Sequence, residues 1–291
     1  MNTQDLINKL NIYERLMRLD KPIGILLLLW PTLWALLIAG QGRPHWVIVL
    51  VFVTGTILMR SAGCVLNDIA DRNFDGLVER TQHRPFAQGE VTLKEAYGLA
   101  GVLALFAFAL VCFLNTKTIA LSFAALFLAA TYPYTKRLLA IPQAYLGVAF
   151  GFGIPMAFAA VTNTIPLVAW LLLLANVFWA VAYDTEYAMV DRDDDLKIGI
   201  KSSAIFFGQY DVLAVMLCYA VMLALLSYVG IALAYGKYYF AGLLVAQALM
   251  LWQFLLIKKR LRADCFKAFI QNSWIGLAVL LGIVAELVSK V

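Results

Sequence analysis

Charge is what this chain has little of. Only 14% of its 291 residues are Asp, Glu, Lys or Arg, where a soluble domain carries roughly a quarter. Histidine is nearly missing too, since His45 and His83 are the two present and lie far apart. The four cysteines, Cys64, Cys112, Cys218 and Cys265, are isolated, with no C-x-x-C pair. A zinc site and a disulfide framework are therefore set aside. The first 22 residues mix basic and acidic side chains, with no short apolar core ending in a small-residue cleavage site, so no cleavable signal peptide is expected. Low-complexity stretches and soluble domains are lacking as well. A net charge of +5 would ordinarily raise nucleic acid as a partner. In so apolar a chain it reflects membrane topology, and no nucleic acid is expected.

What is present is apolar length. The chain is 63% hydrophobic with a mean hydropathy of +0.82, which fits a multi-span membrane protein. The apolar runs are near-continuous instead of alternating, so the expected fold is all-α, spanning by helices. Residues 1–22 place Leu6, Ile7, Leu10, Tyr13, Leu16 and Met17 at helical spacing, with Lys9, Glu14, Arg15 and Arg18 between them. That pattern predicts an amphipathic helix on the membrane surface, in contact with lipid. Nine apolar segments follow, at about 23–40, 46–66, 96–114, 118–134, 143–161, 166–187, 211–234, 238–257 and 270–288. Eight spans with a re-entrant segment is the alternative. Pro31, Pro133 and Pro155 mark kinks or segment ends.

Orientation follows from the basic residues. With nine spans, of the 23 lysines and arginines only Arg43, Lys117, Lys237 and Lys290 fall on the side opposite the N-terminus. The positive-inside rule then places the N-terminus in the cytoplasm. Every acidic residue except Glu286 falls on that same side. Topology does not require that bias, so it points to a polar functional face.

Two acidic clusters dominate this face. Asn67, Asp68, Asp71 and Asp75 end the second apolar run; Asp184, Asp191 and Asp195 end the sixth. Both clusters read D-x-x-x-D, and the second lies 120 residues after the first. The two runs are four spans apart and point the same way, which suggests two pseudo-repeated four-helix units within a single domain, 1–291. Polar cap loops are expected over 67–95 and 188–210, with Arg80 and Arg84 in one and Lys197 and Lys201 in the other. Taken as helix ends, the first set falls within about a 100° arc and the second within about 40°. Oxygen ligands without His or Cys favour a hard cation, Mg²⁺ before Ca²⁺. Mg²⁺ usually keeps waters and binds substrate phosphates too, so two facing clusters with basic neighbours suggest a metal-held diphosphate. Candidate metal ligands are Asn67, Asp68, Asp71, Asp75, Asp191 and Asp195, with the last two and Asp71 and Asp75 essential to the chemistry. Candidate substrate-binding residues are Arg18, Lys21, Arg72, Lys136, Arg137, Asp184 and Lys201, although a charge beside a membrane helix is most often a topology marker.

The pattern N-D-x-x-D-x-x-x-D at Asn67–Asp75, with the second D-x-x-x-D at Asp191–Asp195, resembles the UbiA superfamily of intramembrane prenyltransferases. The stretches from Arg18 to Gly24, Arg60 to Cys64, Tyr183 to Met189 and Gly199 to Ser202 are similar to the branch acting on 4-hydroxybenzoate in ubiquinone biosynthesis. The resemblance implies a nine-helix bundle around a central cavity in the cell inner membrane, with cytoplasmic cap loops and Mg²⁺ bridging the Asp motifs to the diphosphate of a polyprenyl donor. It implies polyprenyl diphosphate and 4-hydroxybenzoate as substrates and no obligate protein partner, with Asp68 and Asp184 as supporting ligands and Lys136 and Arg137 as a basic pair.

Three rivals remain. Another acceptor, such as a naphthoate, homogentisate or haem, would leave the Asp motifs unchanged. The CDP-alcohol phosphotransferase pattern D-x-x-D-G fails here because Arg72 stands at its first Asp position before Asp75-Gly76. A cation-coupled transporter would bind ions near the midplane, whereas these acids cluster at helix ends on one side.

Overall fold

A computed structural model describes residues 3–290, and all regular structure among them is helical. Twelve α-helices follow in order: α1 Thr3–Met17, α2 Ile23–Ala39, α3 Trp46–Asp71, α4 Leu93–Val111, α5 Thr116–Thr135, α6 Pro142–Gly151, α7 Gly153–Thr162, α8 Leu167–Ile198, α9 Ser203–Phe207, α10 Asp211–Ala232, α11 Lys237–Ile257 and α12 Arg262–Val288. With α6–α7 taken as one bent span and α9–α10 as another, eight segments are long and apolar enough to cross a membrane. Shorter α2 makes a ninth apolar helix, so the nine expected segments all appear, in a multi-pass membrane protein.

Local chemistry sets several helix ends. Thr92 and Glu95 form a reciprocal capping box at the start of α4, and Asn115 caps α5 by accepting from the Thr118 amide. Pro31 and Pro133 lie inside α2 and α5 without ending them. The break expected near Pro155 falls instead at Phe152, between α6 and α7.

The cap segments are shorter than the sequence suggests. Helix α3 continues to Asp71 and α4 starts at Leu93, so the first cap is 72–92; α8 continues to Ile198, leaving only 199–202 and short α9 for the second. The cause is that most of both acidic motifs stays in the i→i−4 ladder of its helix. Except for Asp75, which lies in the first cap, the motif carboxylates stand on helix ends, and Gly199, in a left-handed conformation (φ 73°), stops α8.

The main core gathers α2, α7, α8, α10, α11 and α12. Trp34 stacks on Trp179 at 5.4 Å between ring centres, and its indole N–H donates to the Gly276 carbonyl at 3.0 Å. Helices α11 and α12 approach closely at Gly242 and Gly282, where a Cβ on Gly242 would come within 2.6 Å of the Gly282 Cα. One buried polar network sits in this core: Tyr219 donates to the Glu186 carboxyl at 3.0 Å, and the Asn272 amide donates to its other oxygen at 2.8 Å. A second, smaller core joins α1, α3 and α4 through Leu16, Val65, Ile69, Ala96 and Ala100. The amphipathic helix therefore docks by its C-terminal half, fastened by Arg15–Glu90 at 2.6 Å and Lys9–Glu95 at 2.7 Å. Its Leu6, Ile7 and Leu10 stay exposed.

Candidate active site

The two Asp-bearing helix ends open onto one cavity of about 910 Å³. Its deeper wall is apolar and aromatic, including Phe52, Met156, Phe150 and Phe269, while its mouth holds Asp71, Asp75, Asp191 and Asp195. An apolar space with a carboxylate-lined mouth suits an amphiphile with a polar head.

Each acidic residue at the mouth has a defined place. Lys136 donates to Asp71 at 2.8 Å and to the Asn67 amide oxygen at 3.2 Å, and Asn67 in turn donates to Asp71 at 3.0 Å. Arg84 reaches both Asp75 oxygens at 3.0 Å and one Asp68 oxygen at 3.2 Å. Arg18 holds both Asp68 oxygens at 2.7 and 2.9 Å. Asp68 is fully buried beneath these two guanidinium groups, as an anchor for them. Arg80 grips Asp191 through three contacts of 2.6, 3.0 and 3.1 Å. Arg80 and Arg84 belong to the same cap segment, so this loop straps the end of α3 to α8 and brings the two acidic motifs together. Asp195 and Asp184 also line the cavity and make no ion pair among the described residues.

The electrostatics reflect this pairing. Burial works against the Lys136 ammonium, but the facing Asp71, together with Tyr132, outweighs it and raises its pKa. The same balance raises Arg84, with Asp68 and Asp75 opposing burial. Asp75 shifts the other way from an ordinary paired carboxylate: burial pushes it up, against the pull of Arg84.

Not every expected residue reaches the cavity. Lys21 and Lys201 line its rim, the latter donating to the Leu138 carbonyl at 3.3 Å. Arg72 is exposed and bonds to the Ile69 carbonyl at 3.1 Å at the end of its own helix. Arg137 donates to the Ala70 carbonyl at 2.7 Å and lies over the Phe74 ring. These two side chains cap the C-terminus of α3, where cations are favoured; neither lines the cavity.

Three arginines carry more of the site than the sequence reading assigned them. Arg80 and Arg84 were legible as basic loop residues only. Arg60 sits on α3 two turns before Asn67, lies against Phe150 at 5.6 Å and contacts the Cys64 sulfur. It is part of the cavity wall, makes no carboxylate ion pair among the described residues, and its Nε has no hydrogen-bond partner. The seven-residue spacing from Asn67, which puts both on one helix face, was the available signal. Tyr183 likewise faces the cavity with a buried, unpartnered hydroxyl.

Among the described residues no three His, Cys, Asp or Glu side chains converge into a ready-made metal cage. The donor set is nonetheless oxygen-only and spread around the mouth of the cavity, which fits an ion that keeps waters and shares a phosphate.

Comparison with known proteins agrees with this geometry. The UbiA prenyltransferase family model matches residues 28–277. A 4-hydroxybenzoate octaprenyltransferase from Methylobacillus flagellatus is 62% identical, covering 98% of this chain and 97% of the relative. The protein of the same name from Dechloromonas aromatica is also 62% identical over 98% and 97%. The apo structure of a UbiA homologue from Aeropyrum pernix superposes with a TM-score of 0.75 at 25% identity, covering 90% of this chain and 97% of the other. The fold is also that of an Archaeoglobus fulgidus UbiA homologue solved with GPP and Mg²⁺, at TM-score 0.67 and 18% identity over 94% and 99%. From motif, cavity and full-length similarity together, this chain belongs to the UbiA prenyltransferase family.

Proposed function

We propose that this protein transfers a polyprenyl group from polyprenyl diphosphate to the ring carbon ortho to the hydroxyl of 4-hydroxybenzoate, with Mg²⁺ as cofactor, in ubiquinone biosynthesis. The observation that carries the reading is the meeting of two D-x-x-x-D motifs with Arg80, Arg84 and Lys136 at the mouth of an apolar cavity. Relatives about 60% identical along nearly the whole chain carry the 4-hydroxybenzoate octaprenyltransferase name.

Asp71, Asp75, Asp191 and Asp195, with Asn67, are the residues we assign to Mg²⁺. When bound there, the ion supplies positive charge that stabilises the departing diphosphate. Arg80, Arg84 and Lys136 meet the same developing charge, so the allylic C–O bond breaks with its electrons on the diphosphate. The apolar wall keeps water from the allylic cation, and aromatic faces such as Phe269 and Tyr187 stabilise it. The ring carbon attacks, a C–C bond forms, and loss of the ring proton restores aromaticity. We assign that proton to Asp184, a cavity carboxylate without an ion pair among the described residues. We assign the acceptor carboxylate to Arg60, whose unpaired guanidinium faces the cavity deeper than the Asp motifs along α3.

An insoluble donor explains the setting: each CH₂ favours an apolar phase by about 0.8 kcal/mol, while the diphosphate needs a polar mouth. The basic-residue bias supports a cytoplasmic mouth in the inner membrane. The test is incubation of purified protein with 4-hydroxybenzoate and a polyprenyl diphosphate, with Mg²⁺ or with excess EDTA. Prenylated product in Mg²⁺ alone is expected. Diphosphate release without that product would redirect the search to other acceptors, and neither from folded protein would remove the transferase reading.

A further inference from the structure

Four carboxylates at the mouth of the cavity are already paired with cations, while among the described residues Asp195 and Asp184 make no ion pair. Asp71 faces Lys136, Asp191 faces Arg80, Asp75 faces Arg84, and Asp68 is shared by Arg84 and Arg18. All these contacts are hydrogen-bonded at 2.6–3.2 Å. A divalent cation arriving alone meets Asp71, Asp75 and Asp191 each holding a cation, and of its assigned carboxylates only Asp195 has no ion pair among the described residues, so to gather the others it must displace an ammonium or guanidinium or sit beside it. The displaced group, held in a partly buried site, then has no anion of its own, and leaving it so is unfavourable.

Diphosphate changes this balance. It offers oxygens that Arg groups grip in bidentate fashion and that Lys meets as a point charge. Each cation can turn from a carboxylate to a phosphate oxygen as the carboxylate is released to metal. Arg84 has a built-in pivot, because Asp68 is fully buried, is held independently by Arg18, and keeps Arg84 in place when Asp75 lets go. Arg80 has one too: its guanidinium lies over the Tyr187 ring at 4.3 Å, a contact that does not depend on Asp191.

We infer that Lys136, Arg80 and Arg84 are exchangeable counter-ions that make binding of divalent metal and diphosphate mutually dependent, so that metal alone binds poorly. Asp68 in this scheme is a positioning residue and not a metal ligand. The inference rests on the metal–diphosphate reading of the site.

The test uses full-length protein in detergent with Mn²⁺ as a spectroscopic probe, free Mn²⁺ being counted by electron paramagnetic resonance. Titrations are run alone and with an unreactive prenyl thiolodiphosphate, with an Asp71→Asn/Asp191→Asn double variant as the blank for Mn²⁺ bound by the analogue itself. The analogue should tighten Mn²⁺ binding about 10-fold or more, and Mn²⁺ should tighten analogue binding by the same factor, as linkage requires. Lys136→Met and Arg80→Gln should each bind Mn²⁺ alone more tightly than wild type, by about 3-fold or more, and show weaker coupling. A role confined to holding diphosphate would leave Mn²⁺ affinity without analogue unmoved. Equal Mn²⁺ affinity with and without analogue in wild type, or no tightening in whichever variant folds, overturns the inference while leaving the site assignment standing. Failure of folded wild type to bind Mn²⁺ and analogue together removes the site assignment and this inference with it.

Discussion

Arg80 and Asp191 are 111 positions apart in sequence, yet three hydrogen bonds join them, the shortest 2.6 Å. This pair ties the loop after α3 to the end of α8, and through Arg84 on the same loop it registers one acidic motif against the other. Replacing Arg80 by Gln removes both the strap and a cation proposed to face the diphosphate. Turnover should fall about 10²- to 10³-fold, the size of losing one preorganised donor to developing charge. Initial rates against folded protein, counted by size-exclusion chromatography, check this.

Asp71→Asn and Asp191→Asn keep side-chain volume and remove the charge proposed to bind metal. Both variants should be inactive to the limit of detection with circular dichroism unchanged. Near-normal activity in either would sink the assignment of these carboxylates.

Arg60→Leu addresses acceptor recognition. Loss of a charged hydrogen-bond partner for a carboxylate is worth about 1.5–3 kcal/mol, so KM for 4-hydroxybenzoate should rise roughly 10- to 100-fold. KM for the donor should stay near wild type. A donor-side defect instead would move Arg60 to the diphosphate.

Lys136 and Arg137 are neighbours with separate jobs. Lys136→Gln should impair donor use, since its ammonium faces Asp71 in the cavity. Arg137→Ala removes a donor to the Ala70 carbonyl outside the cavity. It should lower thermal stability by about 1 kcal/mol, the size of a lost helix cap or backbone bond. Steady-state KM values for Arg137→Ala should remain close to wild type, and a large KM change would return it to the substrate site.

Glu186 tests the core. Its carboxyl is fully buried and bonded by Tyr219 and Asn272. Glu186→Ala removes both hydrogen bonds and leaves a cavity, although Tyr219 and Asn272 keep Gln253 as a partner, and should cost about 2–5 kcal/mol. Glu186→Gln keeps the volume and one acceptor oxygen and should cost less. Thermal unfolding of both variants in detergent compares them; equal losses would show that the hydrogen bonds contribute little.

Much of this protein was determined by sequence alone, because the membrane makes the signal strong. Backbone polar groups cannot go unpaired in hydrocarbon, so nine apolar runs had to become helices. The acidic motifs were legible for a related reason: carboxylates at membrane-helix ends are costly without cationic partners. Which cations those are, the tertiary structure decided. Arg72 and Arg137 stand as near the motifs in sequence as Lys136 does, yet they cap α3 while Lys136 enters the cavity. Arg80 and Arg84 had no sequence mark setting them apart from topology residues, and only the folding of their loop gave Arg80 its partner Asp191 on α8 and Arg84 its partners Asp75 and Asp68. Helical periodicity fixes which face a side chain occupies; which face meets the cavity depends on how the helices pack, and a single chain's residue order does not encode that in any local pattern.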